Sequence, residues 1–271
     1  MNLLISACSF IYSMNNFRPL ILIVNDDGID APGIHHLAEC VRTMGEVYIV
    51  APLTPQSGQS AAMTVASPLR ITEKENNIDG VRVFTVNGTP VDCVKMAIHA
   101  IVPRRPAVVF AGINHGSNSG VNITYSGTMG ATIEGCIEGI PSVGFSVMDN
   151  SLGADLSLSI GFVAYIATEV ISKGLPNGIC LNVNIPACVI PKGIRVCRAV
   201  HGKWVDGYMR FIDPNGKPFY WLTGKFENFE PEATDTDEYW LQRNYISIVP
   251  VKCDLSAKSL IKTLAQRFDT N

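Results

Sequence analysis

Short runs of β-branched and aliphatic residues recur along this chain with helical patterns between them, and that alternation limits the fold more than any other feature. The runs are LILIV (20 to 24), VYIVA (47 to 51), VRVFTV (81 to 86), AVVFAG (107 to 112), SVGFSV (142 to 147) and CLNVNI (180 to 185). Helical periodicity falls at roughly 33 to 44, 90 to 102, 128 to 138 and 154 to 173. In the first of these Pro32 stands near the opening turn, and Ile34, Leu37, Ala38 and Val41 follow at offsets of three, four and seven. The last carries Leu156, Ile160, Val163, Ala167 and Val170 on one face, as an amphipathic core helix does. Strands alternating with helices predict an α/β fold, a doubly wound, mostly parallel sheet covered on both faces. With 47% hydrophobic residues in 271, the chain has ample material for such a core.

After residue 200 the pattern changes. DPNG (213 to 216) is a strong turn signal, and GYMRFI and KPFYWL flank it as an aromatic β-hairpin. The expected organisation is an N-terminal extension over 1–19, disordered or mis-assigned ahead of Met14, and an α/β body over 20–200. A hairpin arm with a returning strand covers 201–252, and a C-terminal helix covers 253–271.

A net charge of −3 and no basic cluster longer than Arg104-Arg105 argue against binding duplex nucleic acid, so any related ligand should be small. IGFVAYIA is too short to span a bilayer, and the apolar start MNLLISACSFIYS lacks the basic region of a secretory signal. No membrane association and a cytoplasmic location are expected. The eight cysteines include no C-x-x-C pair and read as small core residues in a reducing compartment, not as disulfides or a zinc site.

In open α/β sheets the chemistry lies beyond the carboxyl ends of the strands. The first strand ends in Asn25, Asp26, Asp27 and Gly28. Two adjacent carboxylates repel each other and need a cation or hydrogen-bond donors to stay ionised; the alternative is an Asx-turn ended by solvent. The second strand leads to APLTPQSGQS, with Ser57 and Gly58. The fourth leads to AGINHGSNSGVNITYSGTMGATIEG, where Asn114, Asn118 and Asn122 recur every four residues before Ser126-Gly127-Thr128 at a helix start. Such a loop is either a phosphate cradle or a capped polar turn. Asp26, Asp27, Ser57 and Asn114 together offer hard oxygen ligands, a mix that suits Mg2+ or Mn2+ and disfavours zinc. A divalent cation beside a phosphate site points to phosphoester hydrolysis. Of the five histidines only His115 lies in a strand-end loop.

Seven segments, NDDGIDAPGI, APLTPQSGQS, NGTPVDCV, AGINHGSNSG, YSGTMGATIEG, LNVNIP and YISIVPV, resemble in order and spacing the stationary-phase survival protein SurE family of 5′-nucleotidases. The resemblance spans about residues 20 to 252. It implies a Rossmann-like body, one divalent metal ion, nucleoside monophosphates as substrates, and a homodimer or homotetramer joined through C-terminal elements. It places the metal on Asp26, Asp27, Ser57 and Asn114, catalysis on Asp26 and Asp27, and substrate contacts on Asn25, Gly58, Asn118, Ser126, Gly127 and Thr128. Activity on 3′-monophosphates and short polyphosphate is compatible with it. Two departures stand out: Gln56 where many members carry Arg, and Ala111 where Ser is usual.

The rival readings lack their signatures. A covalent aspartyl-phosphate enzyme wants D-x-D, and position 28 is Gly. A dehydrogenase wants G-x-G-x-x-G after a strand, and none is present. A receiver-type binding module wants an acid where Asn114 stands.

Overall fold

The computed structural model describes residues 18–75, 78–149, 151, 156–187 and 190–270, so nearly all of the expected N-terminal extension lies outside the described residues. The body's strands are β1 (Leu20–Val24), β2 (Glu46–Pro52), β3 (Ile71–Lys74), β4 (Val81–Val86), β5 (Val108–His115), β6 (Ser142–Val147), β7 (Ile179–Ile185) and β8 (Ile194–Val196). They are followed by β9 (Gly202–Val205), β10 (Tyr208–Ile212), β11 (Pro218–Leu222), β12 (Lys225–Asn228) and β13 (Ile246–Lys252). The helices are α1 (Pro32–Val41), α2 (Pro90–Met96), α3 (Asn122–Tyr125), α4 (Gly127–Ile137), α5 (Ile160–Lys173), α6 (Asp237–Leu241) and α7 (Lys258–Phe268).

All six strands expected from the sequence lie side by side in a nine-stranded sheet ordered β3-β4-β2-β1-β5-β6-β7-β13-β8. The strands from β4 to β7 pair in parallel, while β3 on β4 and β13 on β7 are antiparallel. An unbroken apolar run suits β1 because successive side chains enter opposite layers. Ile21 and Ile23 pack with Ile34, Leu37 and Ala38 of α1 and Val163 and Ala167 of α5. Leu20, Leu22 and Val24 pack with Cys93 and Val94 of α2 and Ala131 of α4. The sheet is therefore doubly wound.

Local signals explain the helix boundaries. Thr89 caps α2: its hydroxyl accepts from Asp92 N, while the Asp92 carboxylate accepts from Thr89 N, and Pro90 follows at the first helical position. Instead of running on as α-helix to 102, the chain passes into a π turn over Ala97–Ile101. The buried stripe of α5 runs through Val163, Ile166, Ala167 and Val170, whereas Ile160, at its first position, is 42% exposed. β3 went unseen in the sequence because ITEK has no buried face: all four residues are exposed on the sheet edge, where charged side chains are the rule.

The hairpin arm is present as expected. β10 and β11 pair from Tyr208↔Leu222 to Ile212↔Pro218, and the Asp213 side chain accepts the N–H groups of Asn215 and Lys217 across the turn. Every residue of both strands is exposed. A second ribbon, β9 with β12, joins the arm to the body. Among the described residues no helix is long and apolar enough to cross a membrane.

Cys8 and Cys188 lie outside the described residues; the other cysteines depart from the sequence reading in two respects, the first being that Cys197 is only partly buried. Cys40 and Cys93 are small core residues as expected. Cys136, Cys180 and Cys253, however, converge from three elements, an encounter that their separation in sequence conceals.

Candidate active site

β1 lies between β2 and β5, and the chain leaves it in opposite directions to reach them, so the carboxyl end of β1 is where the strand order reverses. Crevices for ligands open at such points. Asp26 and Asp27 occupy it.

Three neighbouring segments are fastened to this turn. The backbone N–H of Gln56 donates to the Asp26 carbonyl at 2.7 Å, which brings the loop after β2, with exposed Ser57 and Gly58, to the first carboxylate. The backbone N–H of His115 donates to Asp27 Oδ2 at 3.4 Å and sets the end of β5 beside the second. Thr128 donates its hydroxyl to Asp26 Oδ1. A Cβ added to Gly127 would stand 2.7 Å from Asp26 Cβ, so only glycine lets the start of α4 approach this closely.

Asn114 is delivered by an irregularity in β5. The register with β6 shifts between Ala111 and Asn114, and Gly112 there has φ +123°, with Phe145 O only 2.3 Å from where a Cβ would be. The bulge re-aims the strand end. Asn114 Nδ2 donates to Gly116 O at 2.8 Å, which leaves its carbonyl oxygen as the end available to a ligand. Asp26, Asp27, Asn114 and the Ser57 loop are thus gathered at the ends of β1, β5 and β2.

Other candidates do structural work. Asn25 is buried and donates to Gly28 O at 2.7 Å, bracing the turn that presents the acids. Ser126 caps α4 by accepting from Met129 N at 3.1 Å. Asn118 is buried: its Nδ2 donates to Ser146 Oγ and its backbone N–H to Asn184 Oδ1, both at 2.8 Å. Asn182 completes this net by donating to Asn118 O at 2.8 Å. The net pins the β5 loop to β6 and β7, and sequence reasoning missed its anchors. Their signal was the alternation in LNVNIP: residues 182 and 184 share one face of β7. Buried Asp237 is a second unforeseen anchor, accepting from Gly120 N and Val200 N at 2.8 and 2.9 Å.

Burial dominates the electrostatics of the pair. Burial first, opposed by the Thr128 hydroxyl, and then the neighbouring charge of Asp27 carry the Asp26 carboxyl from its ordinary 3.8 up to about 6. Burial also raises Asp27, against the His115 N–H and the nearby imidazole. Both ring nitrogens of His115 are buried without a hydrogen-bond partner among the described residues. Two adjacent carboxylates both pushed toward protonation, beside neutral oxygens and no thiolate, fit a hard divalent cation.

The family model for Survival protein SurE matches residues 21–206. The chain belongs to the SurE family. It is 45% identical over 251 residues to a 5′-nucleotidase SurE of Phocaeicola vulgatus, covering 93% of this chain and 97% of that protein. To the 5′-nucleotidase SurE of Christiangramia forsetii it is 46% identical over 257 residues, with coverages of 93% and 98%. The crystal structure of the SurE protein from Aquifex aeolicus superposes with a TM-score of 0.78 at 34% identity, over 93% of this chain and all of that one. The SurE fold therefore extends past the matched segment. At the two departures, Gln56 Nε2 turns back to Thr54, and Ala111 is wholly buried.

Proposed function

We propose that this SurE-family chain is a divalent-metal-dependent phosphatase that hydrolyses nucleoside 5′-monophosphates to nucleoside and phosphate. The observation carrying the reading is the Asp26–Asp27 pair at the reversal of strand order, raised toward protonation with no cationic side chain bonded to either acid among the described residues. Relatives named 5′-nucleotidase at 45% identity over nearly the whole length supply the substrate class. Asp26, Asp27, Ser57 and Asn114 would hold one Mg2+ or Mn2+. When bound, the cation supplies Lewis acidity toward the phosphate and lowers the pKa of the attacking water.

The chain's own residues do the rest. Thr128 and the N-terminus of α4 orient Asp26 and favour its charged form. Gly58, with open space where a Cβ would stand, lets the loop backbone reach a phosphate. Gly127 and Ser126 line the same side, and the Asn118 net fixes the loop against which the nucleoside would rest. Six free thiols among the described cysteines suit a reducing, cytoplasmic setting. Exposed apolar residues of the hairpin, and Leu260, Ile261, Leu264 and Phe268 along α7, make these the surfaces through which copies of the chain would assemble.

Phosphate release from a panel of 5′- and 3′-monophosphates and short polyphosphate, with Mg2+ or Mn2+ and then with excess chelator, tests the reading. The expected result is turnover of the 5′-monophosphates that stops on chelation and returns with metal. Hydrolysis unaffected by chelation would remove the metal from the account, and no release from any 5′-monophosphate would remove the function.

A further inference from the structure

Cys136 in the last turn of α4, Cys180 at the start of β7 and Cys253 just after β13 bring their sulfur atoms within 4.8 Å of one another. The register explains how two of them meet. Cys180 pairs with Val251, and Cys253 N donates to Gly178 O at 3.0 Å, so Cys180 and Cys253 are diagonal neighbours on one face of the sheet. α4 crosses that face and sets Cys136 upon them. Apolar side chains and one more soft donor surround the thiols: Met129, Ile123, Ile133 and Val251.

We propose that Cys136, Cys180 and Cys253 form a second metal site, for a thiophilic d10 cation of the Zn2+, Cd2+ and Cu+ class. The site lies at the amino end of β7, away from the strand ends that carry Asp26 and Asp27, and its donors are of the opposite kind. Three sulfurs with no carboxylate or imidazole in the group select soft cations over Mg2+ or Mn2+. A Zn–S bond of about 2.3 Å sets sulfurs about 3.8 Å apart, so a pair at the outer limit of separation closes by about 1 Å. The thiols hold only weak partners now: Cys180 Sγ donates to Val251 O and Cys253 Sγ to Ile133 O, each at 3.8 Å. Binding breaks three S–H bonds, forms three sulfur–metal bonds and sends three protons to solvent. Cys253 is partly exposed and gives the cation its way in. Because α4 carries Thr128 at one end and Cys136 at the other, the occupied site would also fix the helix that grips Asp26.

The test is a titration of the full chain with Cd2+ in saturating Mg2+, so that the carboxylate site is already filled, followed by thiolate-to-metal charge-transfer absorption and by proton release in weak buffer. Zn2+ and acetonitrile-delivered Cu+ compete for the bound Cd2+ and rank the class. One saturable equivalent per chain with about three protons released is expected, weakened at least tenfold in Cys180→Ser and Cys253→Ser and unchanged in Cys197→Ser. Cys253 is only partly buried, so its variant decides the matter if Cys180→Ser fails to fold. No saturable absorption in the parent, or absorption of undiminished affinity in Cys253→Ser, overturns the proposal.

Discussion

Asp26 is held in a surrounding that disfavours its charged form. Its folded carboxyl binds a proton more tightly than the unfolded chain's does, from an ordinary 3.8 up to about 6. In metal-free protein the cost of ionising it is therefore absent below about pH 4, grows as pH rises, and is fully expressed above about pH 6. Roughly two pKa units correspond to about 3 kcal/mol. Asp26→Asn keeps an oxygen for the Thr128 hydroxyl and removes the charge. Urea denaturation in chelator at pH 8 should find this variant more stable than the parent by about 1 to 3 kcal/mol, with the difference vanishing near pH 4. An Asp26→Asn protein of equal or lower stability at pH 8 would contradict the burial account of this carboxyl.

At the scale of elements, α4 is the part whose role changes most between sequence and structure. Ser126-Gly127-Thr128 reads from the sequence as either a phosphate cradle or a capped turn, and both hydroxyls are engaged within the chain: Thr128 donates to Asp26 Oδ1, and Ser126 accepts from the helix's own Met129 N–H as its cap. Thr128→Val should accordingly act on the metal end. A hydrogen bond to a charged group is worth about 1.5 to 3 kcal/mol, so losing it should move the acid limb of the pH–rate profile upward by about one to two units and weaken Mn2+ binding near pH 6. A variant with a higher KM but an unmoved pH profile would return Thr128 to the phosphate. The body strands were legible because a strand buried on both faces must be written as an apolar run, and the hairpin because its turn requires Asp-Pro-Asn-Gly. β3 was not legible, since an exposed edge strand without a turn signal carries no such pattern, and the β9–β12 ribbon was not, since its strands are four residues long and only partly buried. The Asn118–Asn182–Asn184 net and the Cys136–Cys180–Cys253 cluster were hidden for a different reason. Asn118 lies tens of residues from Asn182 and Asn184, and the three cysteines tens of residues from one another, so they meet only once the sheet is ordered and α4 is laid across it.

For the whole molecule, the described chain leaves Tyr208, Tyr220, Trp221 and Leu222 of the hairpin 61 to 71% exposed. Isolated hairpins are marginal and aromatic patches of this kind mark partners. Replacing residues 206–220 by a short Gly/Ser bridge should lower the mass found by light scattering to that of a smaller assembly; an unchanged oligomeric mass would eliminate the arm as a required interface. Whether the carboxylate pair at the end of β1 holds a hard cation for phosphoester hydrolysis is decided by calorimetric titration of Mn2+ into the parent and Asp27→Asn, with phosphate release from a nucleoside 5′-monophosphate measured on the same samples. The parent should bind one ion per chain at this site. In Asp27→Asn affinity and phosphate release should fall together, by at least about 100-fold, more than changes behind the ligands usually cause, with an unchanged circular dichroism spectrum. Near-normal hydrolysis by Asp27→Asn at ordinary metal concentration would contradict the account.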